Sequence, residues 1–196
     1  MKIENDRLID EIVQQVSCSK NRKAIKDLQF IVLHSTASKN LKSTINFLKD
    51  PEVKASAHIV IARDGSISQL VDFSTQAWHA GKSSYKGFEG LNKYSIGIEL
   101  MNACKLKKKG DVYLSWFGEE IDKEEVHTHV DNNGYISYWH KYTEAQINIL
   151  LVICQLLRLH YPSIKEIIGH SDITSRKVDP GFSLSDQIDL LVKKYI

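Results

Sequence analysis

The run Leu28 to Leu33, L-Q-F-I-V-L, limits this chain's fold more than any other stretch. Its apolar residues are too continuous to alternate between a core face and a water face. The strand they predict is therefore buried and cannot be an edge. His34 stands at its exit, followed by the small residues Ser35, Thr36, Ala37 and Ser38. At 196 residues the chain can bury one such sheet in a single α/β domain and is barely long enough for two.

The remaining elements follow in order. Asn5 or Asp6 is expected to cap a helix whose apolar positions Ile9, Ile12, Val13 and Val16 recur at helical spacing. A short helix is expected from Leu41 to Lys49, stopped by Pro51. Ala57–Ala62 and Ile67–Val71 flank Arg63-Asp64-Gly65-Ser66, a hairpin signal. The loop Ala77-Trp78-His79-Ala80-Gly81 leads through a Gly- and Ser-bearing segment to Asn92. Ser95 to Met101 alternates Ile96, Ile98 and Leu100 with Ser95, Gly97 and Glu99, a strand that turns Glu99 away from its aliphatic face. Glutamate is depleted in strands, so Glu99 calls for a specific reason.

Residues 103–141 are expected to form one insertion on the same domain, with a hairpin around Asn132-Asn133-Gly134. Thr143 and Gln146 make a capping box, and the helix beyond, apolar nearly all round from Ile147 to Leu159, is expected to be deeply buried. Pro162 ends it, and Glu166–Ile168 form a strand that delivers His170. A last helix from Ser183 or Ser185 is expected to carry Ile188, Leu191 and Val192.

Charge and cysteine usage narrow the function classes. With 26 basic against 24 acidic residues, the net charge of +2 leaves no bulk footprint for nucleic acid. The run Lys105-Leu106-Lys107-Lys108-Lys109 is a solvated loop or an attraction for an anionic polymer such as a bacterial wall. Three cysteines, Cys18, Cys104 and Cys154, cannot all pair internally and show no C-x-x-C spacing, which suits a reducing compartment at folding. The charged N-terminus has no apolar core of a signal peptide, and no apolar run reaches the length of a membrane span. The expectation is synthesis in the cytoplasm, with action there or at the wall by a route not encoded in this chain, and a monomeric state.

The chemistry concentrates in Ile167–Pro180, I-I-G-H-S-D-I-T-S-R-K-V-D-P. His170 leaves a strand, and Asp179 follows nine residues later, its backbone restricted by Pro180. An imidazole and a carboxylate on a turn-rich loop can converge on one zinc ion, and His34 at another strand exit supplies a third donor. Two histidines and one carboxylate leave a fourth tetrahedral position for water, the arrangement of a catalytic zinc. Glu99 is the candidate general base and Lys177 the candidate oxyanion partner.

Five segments together carry a family resemblance. I-V-L-H-S-T-A (31–37), S-A-H-I-V-I-A-R-D-G-S-I-S-Q-L-V (56–71), A-W-H-A-G (77–81), S-I-G-I-E-L-M-N (95–102) and G-H-S-D-I-T-S-R-K-V-D-P-G (169–181) resemble, in order, the type 2 N-acetylmuramoyl-L-alanine amidases. That family includes phage lysozymes with amidase activity and the peptidoglycan recognition proteins. The resemblance covers about 28–182 and implies zinc held by His34, His170 and Asp179, with Glu99 and Lys177 as catalytic partners. It implies a central mixed sheet flanked by helices with a zinc cleft at one side, and peptidoglycan or a muropeptide as substrate. The cut amide would join the lactyl group of N-acetylmuramic acid to L-alanine. The insertion is longer than compact members carry, and Phe182-Ser183-Leu184 replaces the tryptophan or second proline expected after D-P-G.

Other candidates keep two readings. Trp78 and His79 lie in a loop and are expected to touch substrate, as the resemblance also implies. Arg176 binds a substrate carboxylate or is solvated. His58 is expected to play a supporting role, and His127, His129, Asp131 and His140 to be ordinary polar residues of the insertion and not a second metal site. The alternative function is a non-catalytic peptidoglycan-recognition module on the same scaffold, which tends to lose a zinc ligand. A zinc peptidase or deaminase of another fold is excluded by the absence of H-E-x-x-H and of H-x-E with P-C-x-x-C.

Overall fold

A computed structural model describes residues 1–21 and 23–184; residues 182–184 are helical, and the part of the expected last helix with Ile188, Leu191 and Val192 lies outside the described residues. The chain opens with three short strands, β1 (Lys2–Glu4), β2 (Arg7–Ile9) and β3 (Val13–Gln15). The central strand β4 (Phe30–Ser35) precedes helix α1 (Leu41–Lys49) and the hairpin β5 (Ile59–Ile61) and β6 (Ile67–Gln69). A two-stranded ladder, β7 (Ser84–Tyr85) with β8 (Phe88–Glu89), comes before β9 (Ser95–Leu100). The insertion supplies β10 (Lys105–Lys109), β11 (Val112–Leu114), β12 (Glu120–Ile121), β13 (Val126–Val130) and β14 (Ile136–His140). Helix α2 (Glu144–His160), β15 (Glu166–Gly169) and α3 (His170–Ile173) complete the described chain.

The main sheet has six strands in the order β15-β4-β9-β5-β6-β3. β15, β4, β9 and β5 run parallel, β6 is antiparallel to β5, and β3 is parallel to β6. Every residue of β4 is buried, as the unbroken apolar run requires. Its two faces meet different covers. Ile31 and Leu33 join Leu150, Ile153 and Leu157 of α2, while Phe30 and Val32 pack with Ala80, Leu91, Ile168 and Ile173. One face is thus covered by a helix, and the other largely by the 80–94 segment and α3.

Local signals explain most boundaries. The Asn40 side chain accepts from Ser43 N–H at 3.1 Å and starts α1. Thr143 and Gln146 form the reciprocal capping box of α2. Fully buried Gln146 also donates its amide to Met101 O at 2.9 Å, tying the helix start to the sheet.

Two expectations are corrected. The N-terminal segment is extended, not helical. Asn5 (φ 49°) and Asp6 (φ 60°) are both left-handed, forming the two-residue turn between β1 and β2. Leu8 points inward with no exposure, whereas Ile9 and Ile12 are 42% and 39% exposed, so the helical spacing was incidental. The Gln69 side chain secures the segment by accepting from Leu8 N–H at 2.7 Å. Helix α2 buries one face only: Leu150, Ile153, Cys154 and Leu157 are enclosed, while Leu159 is 79% exposed.

The insertion is an antiparallel five-stranded sheet in the order β12-β11-β10-β14-β13, with Asn132-Asn133-Gly134 in the turn joining the last two. A small core of Ala103, Leu106, Tyr113 and Ile121 supports it. Trp139 anchors it to the main domain against Gly181, where a Cβ would lie 2.4 Å from the indole. No helix among the described residues is long and apolar enough to cross a membrane.

The N-terminal strands yield a stability prediction. Leu8→Ala, which empties a fully buried site, should cost about 2–5 kcal/mol in urea unfolding. Ile12→Ala at an exposed position should cost no more than about 0.5 kcal/mol. Equal effects would contradict the strand assignment.

Candidate active site

Three parallel strands end at one rim of the sheet, and each carries a polar group there. The register pairs His34 of β4 with Glu99 of β9, and Leu33 with Gly169, the residue before His170. The loop after α3 returns so that Asp179 O accepts from Ser171 N–H at 2.9 Å. Tyr142 holds the same loop from below, its hydroxyl donating to Pro180 O at 2.8 Å.

His34, His170 and Asp179 thereby converge, as the sequence predicted, and are the one potential metal-binding cluster among the described residues. His34 Nδ1 lies 3.0 Å from His170 Nδ1 and 3.3 Å from Asp179 Oδ2, and His170 Nδ1 lies 3.0 Å from that oxygen. A tetrahedral zinc with bonds of about 2.0–2.1 Å keeps its ligand atoms roughly 3.3 Å apart. The three donor atoms therefore already form one face of such a tetrahedron.

The hydrogen-bond network behind His34 decides which of its nitrogens is free. His79 Nε2 lies 3.4 Å from Ser95 O and 3.2 Å from Ser95 Oγ, whose own proton goes to Leu91 O at 2.6 Å. Both partners accept, so a neutral His79 carries its proton on Nε2 and accepts on Nδ1. His34 Nε2, 3.0 Å from that Nδ1, must then be the donor. This leaves His34 Nδ1 as a bare lone pair facing the Asp179 carboxylate, an arrangement that a cation satisfies. Burial holds His79 well below the ordinary histidine range, reinforced by the charges of His34 and His58. Burial likewise lowers His34, against the opposing pull of the Asp179 carboxylate, which would accept a hydrogen bond from a protonated ring. Burial pushes the Asp179 carboxyl up, but the hydrogen bonds that protonated His170 and His34 rings would donate to its ionised form outweigh this and hold it below its usual value.

His79, expected to touch substrate, lines the cleft but is almost wholly buried in it. It is 9% exposed and spends both ring nitrogens on the protein. The missed signal is Gly97, the gap in the strand S-I-G-I-E-L, where a Cβ would fall 2.3 Å from the His79 ring. His58 completes the layer: it accepts from Gly97 N–H at 2.9 Å through Nδ1 and reaches Thr75 O at 2.9 Å through Nε2, and burial lowers it to about 4.

The remaining candidates line a cleft of about 800 Å³ that opens over the donor triangle. Trp78 is 37% exposed in its wall, with Phe47 of α1 nearby. Arg176 and Lys177 stand exposed on its rim, and Arg176 Nη2 donates to Lys82 O at 2.8 Å. Glu99 lies in the cleft floor; its Oε2 is buried without a hydrogen-bond partner. Burial raises this carboxyl to about 8, helped by Asp179 and opposed by Lys177. In the insertion, His140 Nδ1 accepts from Ala103 N–H at 3.1 Å and His129 stacks on Phe182 at 3.5 Å; both serve packing.

A mixed sheet with two histidines and an aspartate gathered at the carboxyl ends of its strands defines an α/β scaffold compatible with a metal site. The N-acetylmuramoyl-L-alanine amidase family profile matches residues 24–182, and the chain belongs to that family. The 1,6-anhydro-N-acetylmuramyl-L-alanine amidase AmpD of Escherichia coli K12 is 35% identical over 137 residues, 69% of this chain and 56% of that protein. AmpD of Enterobacter cloacae is 36% identical over 137 residues, 69% of this chain and 55% of that protein. The chain thus spans little more than half the length of these curated relatives. The crystal structure of a selenomethionine AmpD derivative superposes with a TM-score of 0.69 at 25% identity, over 97% of this chain and 99% of that one. Escherichia coli AmiD, solved with anhydro-N-acetylmuramic acid-L-Ala-D-gamma-Glu-L-Lys, gives 0.64 at 27% identity, over 87% of this chain and 61% of that one.

Two predictions follow from this geometry. His79→Ala should lower zinc affinity about 10–100-fold in chelator competition while the circular dichroism spectrum stays unchanged; unaltered affinity would contradict the tautomer chain. The Glu99 carboxyl, at about 8 when folded against an ordinary 4.5, disfavours ionisation in the folded state, so its contribution to stability falls as pH rises between those values. In chelated protein, Glu99→Gln should therefore gain stability over wild type progressively from pH 4.5 to about 8. A pH-independent difference in urea unfolding would refute that origin.

Proposed function

We propose that this chain is a zinc-dependent N-acetylmuramoyl-L-alanine amidase that cuts the amide between the muramoyl lactyl group and L-alanine. The observation that carries this reading is the donor triangle of His34, His170 and Asp179 beside the unpartnered Glu99 Oε2, within a chain of the amidase family. The unit held in the cleft is one muramoyl residue with its stem peptide, the chemistry present in the AmiD complex.

A zinc ion at the triangle would supply Lewis acidity toward water and the scissile carbonyl. The chain's residues do the rest. Glu99 Oε2 takes a proton from the attacking water and returns it to the alanine nitrogen as the C–N bond breaks. A carboxyl near 8 is suited to both transfers, since neither form is far from neutral pH. The Lys177 ammonium, on the cleft rim, offsets negative charge developing on the carbonyl oxygen. Trp78 gives the cleft an apolar wall for the sugar or lactyl group, and Arg176 a guanidinium for a stem-peptide carboxylate. His79 acts through His34, fixing its ring and its free nitrogen.

Glu99→Gln tests the assignment, because it keeps the side chain's shape and removes its basicity. Zinc content should stay at one per chain, while release of L-alanine-terminated peptide from a muropeptide, followed by mass spectrometry, falls about 10²–10⁴-fold. Loss of zinc would make Glu99 a ligand. A wild-type chain that binds muropeptide and releases no peptide would instead be a recognition module.

A further inference from the structure

The insertion continues the catalytic cleft. A second cavity of about 270 Å³ shares Lys177 and Val178 with the cleft and is walled by Phe182, His129, Trp139 and Tyr135. A third, of about 650 Å³, shares Lys105, Tyr135 and Ser137 with the second and runs over β10 and β11 past Lys107 to Trp116. Trp116 closes the circuit: its indole N–H donates at 2.7 Å to Ala37 O, and Ala37 itself lines the cleft. One side of the donor triangle thus leads into a path floored by the insertion sheet.

The surface chemistry of this path is unusual for an exposed sheet. Tyr135 is 62% exposed and Trp116 74%, while Phe182 is 39% exposed. Such aromatic surface disfavours water contact unless a ligand covers it. Lys105 and Lys107 form no ion pair among the described residues, and Lys105 Nζ lies 5.8 Å from both the Tyr135 and Trp139 ring centroids. Asp131, the carboxylate beside them, accepts from Asn133 and Tyr135 N–H at 2.8 and 2.9 Å within its own turn. Aromatic faces beside unpaired ammonium groups match a polymer whose sugar rings stack through their C–H faces and whose attached stem peptides carry carboxylates. Four lysines, Lys105, Lys107, Lys108 and Lys177, line the two cavities, so it is the exposed aromatic surface and not the charge that favours a glycan over a polyphosphate.

We propose that the insertion face is a binding path for the glycan strand of polymeric peptidoglycan, engaging sugar units next to the one held in the cleft. This rests on the amidase reading of the cleft. The path makes the polymer the preferred substrate over an isolated muropeptide.

Tyr135→Ala and Lys105→Ala/Lys107→Ala alter exposed side chains outside the catalytic groups. Each is tested in two settings. In a Glu99→Gln background, in which turnover is expected to be slowed, co-sedimentation with purified sacculi and binding to peptide-free glycan strands should weaken about tenfold. In the otherwise wild-type chain, kcat/KM on sacculi should fall by a similar factor, with kcat/KM on a soluble monomeric muropeptide unchanged within about twofold. Unaltered glycan binding, an equal loss on both substrates, or binding of an oligonucleotide in place of the glycan would each overturn the proposal. If no substrate is cleaved by any chain, the amidase reading fails, and the glycan-binding arm still decides the path.

Discussion

The parallel pairing of β4 with its neighbours β15 and β9 is the constraint on which the site depends. Because the strands run in one direction, their carboxyl ends meet at one rim, and the residues leaving them are brought together whatever their separation in sequence. His34 and Glu99 are partners in that register, and His170 follows the last paired residue of β15. Shifting β4 by a single residue would turn His34 to the opposite face and replace the Ile31 and Leu33 contacts with α2 by Phe30 and Val32. The core that stabilises the sheet and the convergence of His34, His170 and Asp179 are therefore fixed by the same hydrogen-bond ladder.

A rim of buried imidazoles needs each ring nitrogen satisfied, since an unpaired buried polar atom costs about 1–3 kcal/mol. The layer meets this with main-chain groups: Gly97 N–H and Thr75 O orient His58, and Ser95 O orients His79. The direction of the proton on His34 is thus set several bonds away, by backbone that belongs to the sheet. Glu99 Oε2 departs from the pattern, left buried and unpartnered in the cleft beside the His34, His170 and Asp179 cluster.

Much of this was legible in the residues. β4, the β5–β6 hairpin, β9, α1 and the capped start of α2 all announced themselves through local pattern, because each depends on residues close in sequence. The three donors were legible because their residue types and strand-exit positions leave few other uses. The N-terminal strands were not, since β3 is held by pairing with β6 more than fifty residues away, which no window of sequence displays. The burial of His79 was equally hidden, although Gly97 marked a close approach without naming the side chain that fills it. Leu159 shows the opposite failure: its apolar character suggested burial, but it stands near the end of α2, beyond the buried face that stops at Leu157.

The insertion packs against the loop that carries Asp179 and adds Cys104 to the lining of the cleft. Its anchor, Trp139, packs on Gly181, two residues beyond Asp179, and Ser183 Oγ donates to His140 O at 2.8 Å. Tyr142, at the junction between insertion and α2, grips Pro180 from the other side. The loop that presents Asp179 is therefore clamped between β15, which it leaves, and the end of β14, which it did not choose by sequence proximity. Held there, Asp179 Oδ2 lies 3.0 Å from His170 Nδ1 and 3.3 Å from His34 Nδ1. The buried indole that joins the insertion sheet to the main domain thus packs two residues from Asp179, so the insertion and the loop carrying that carboxylate share one contact.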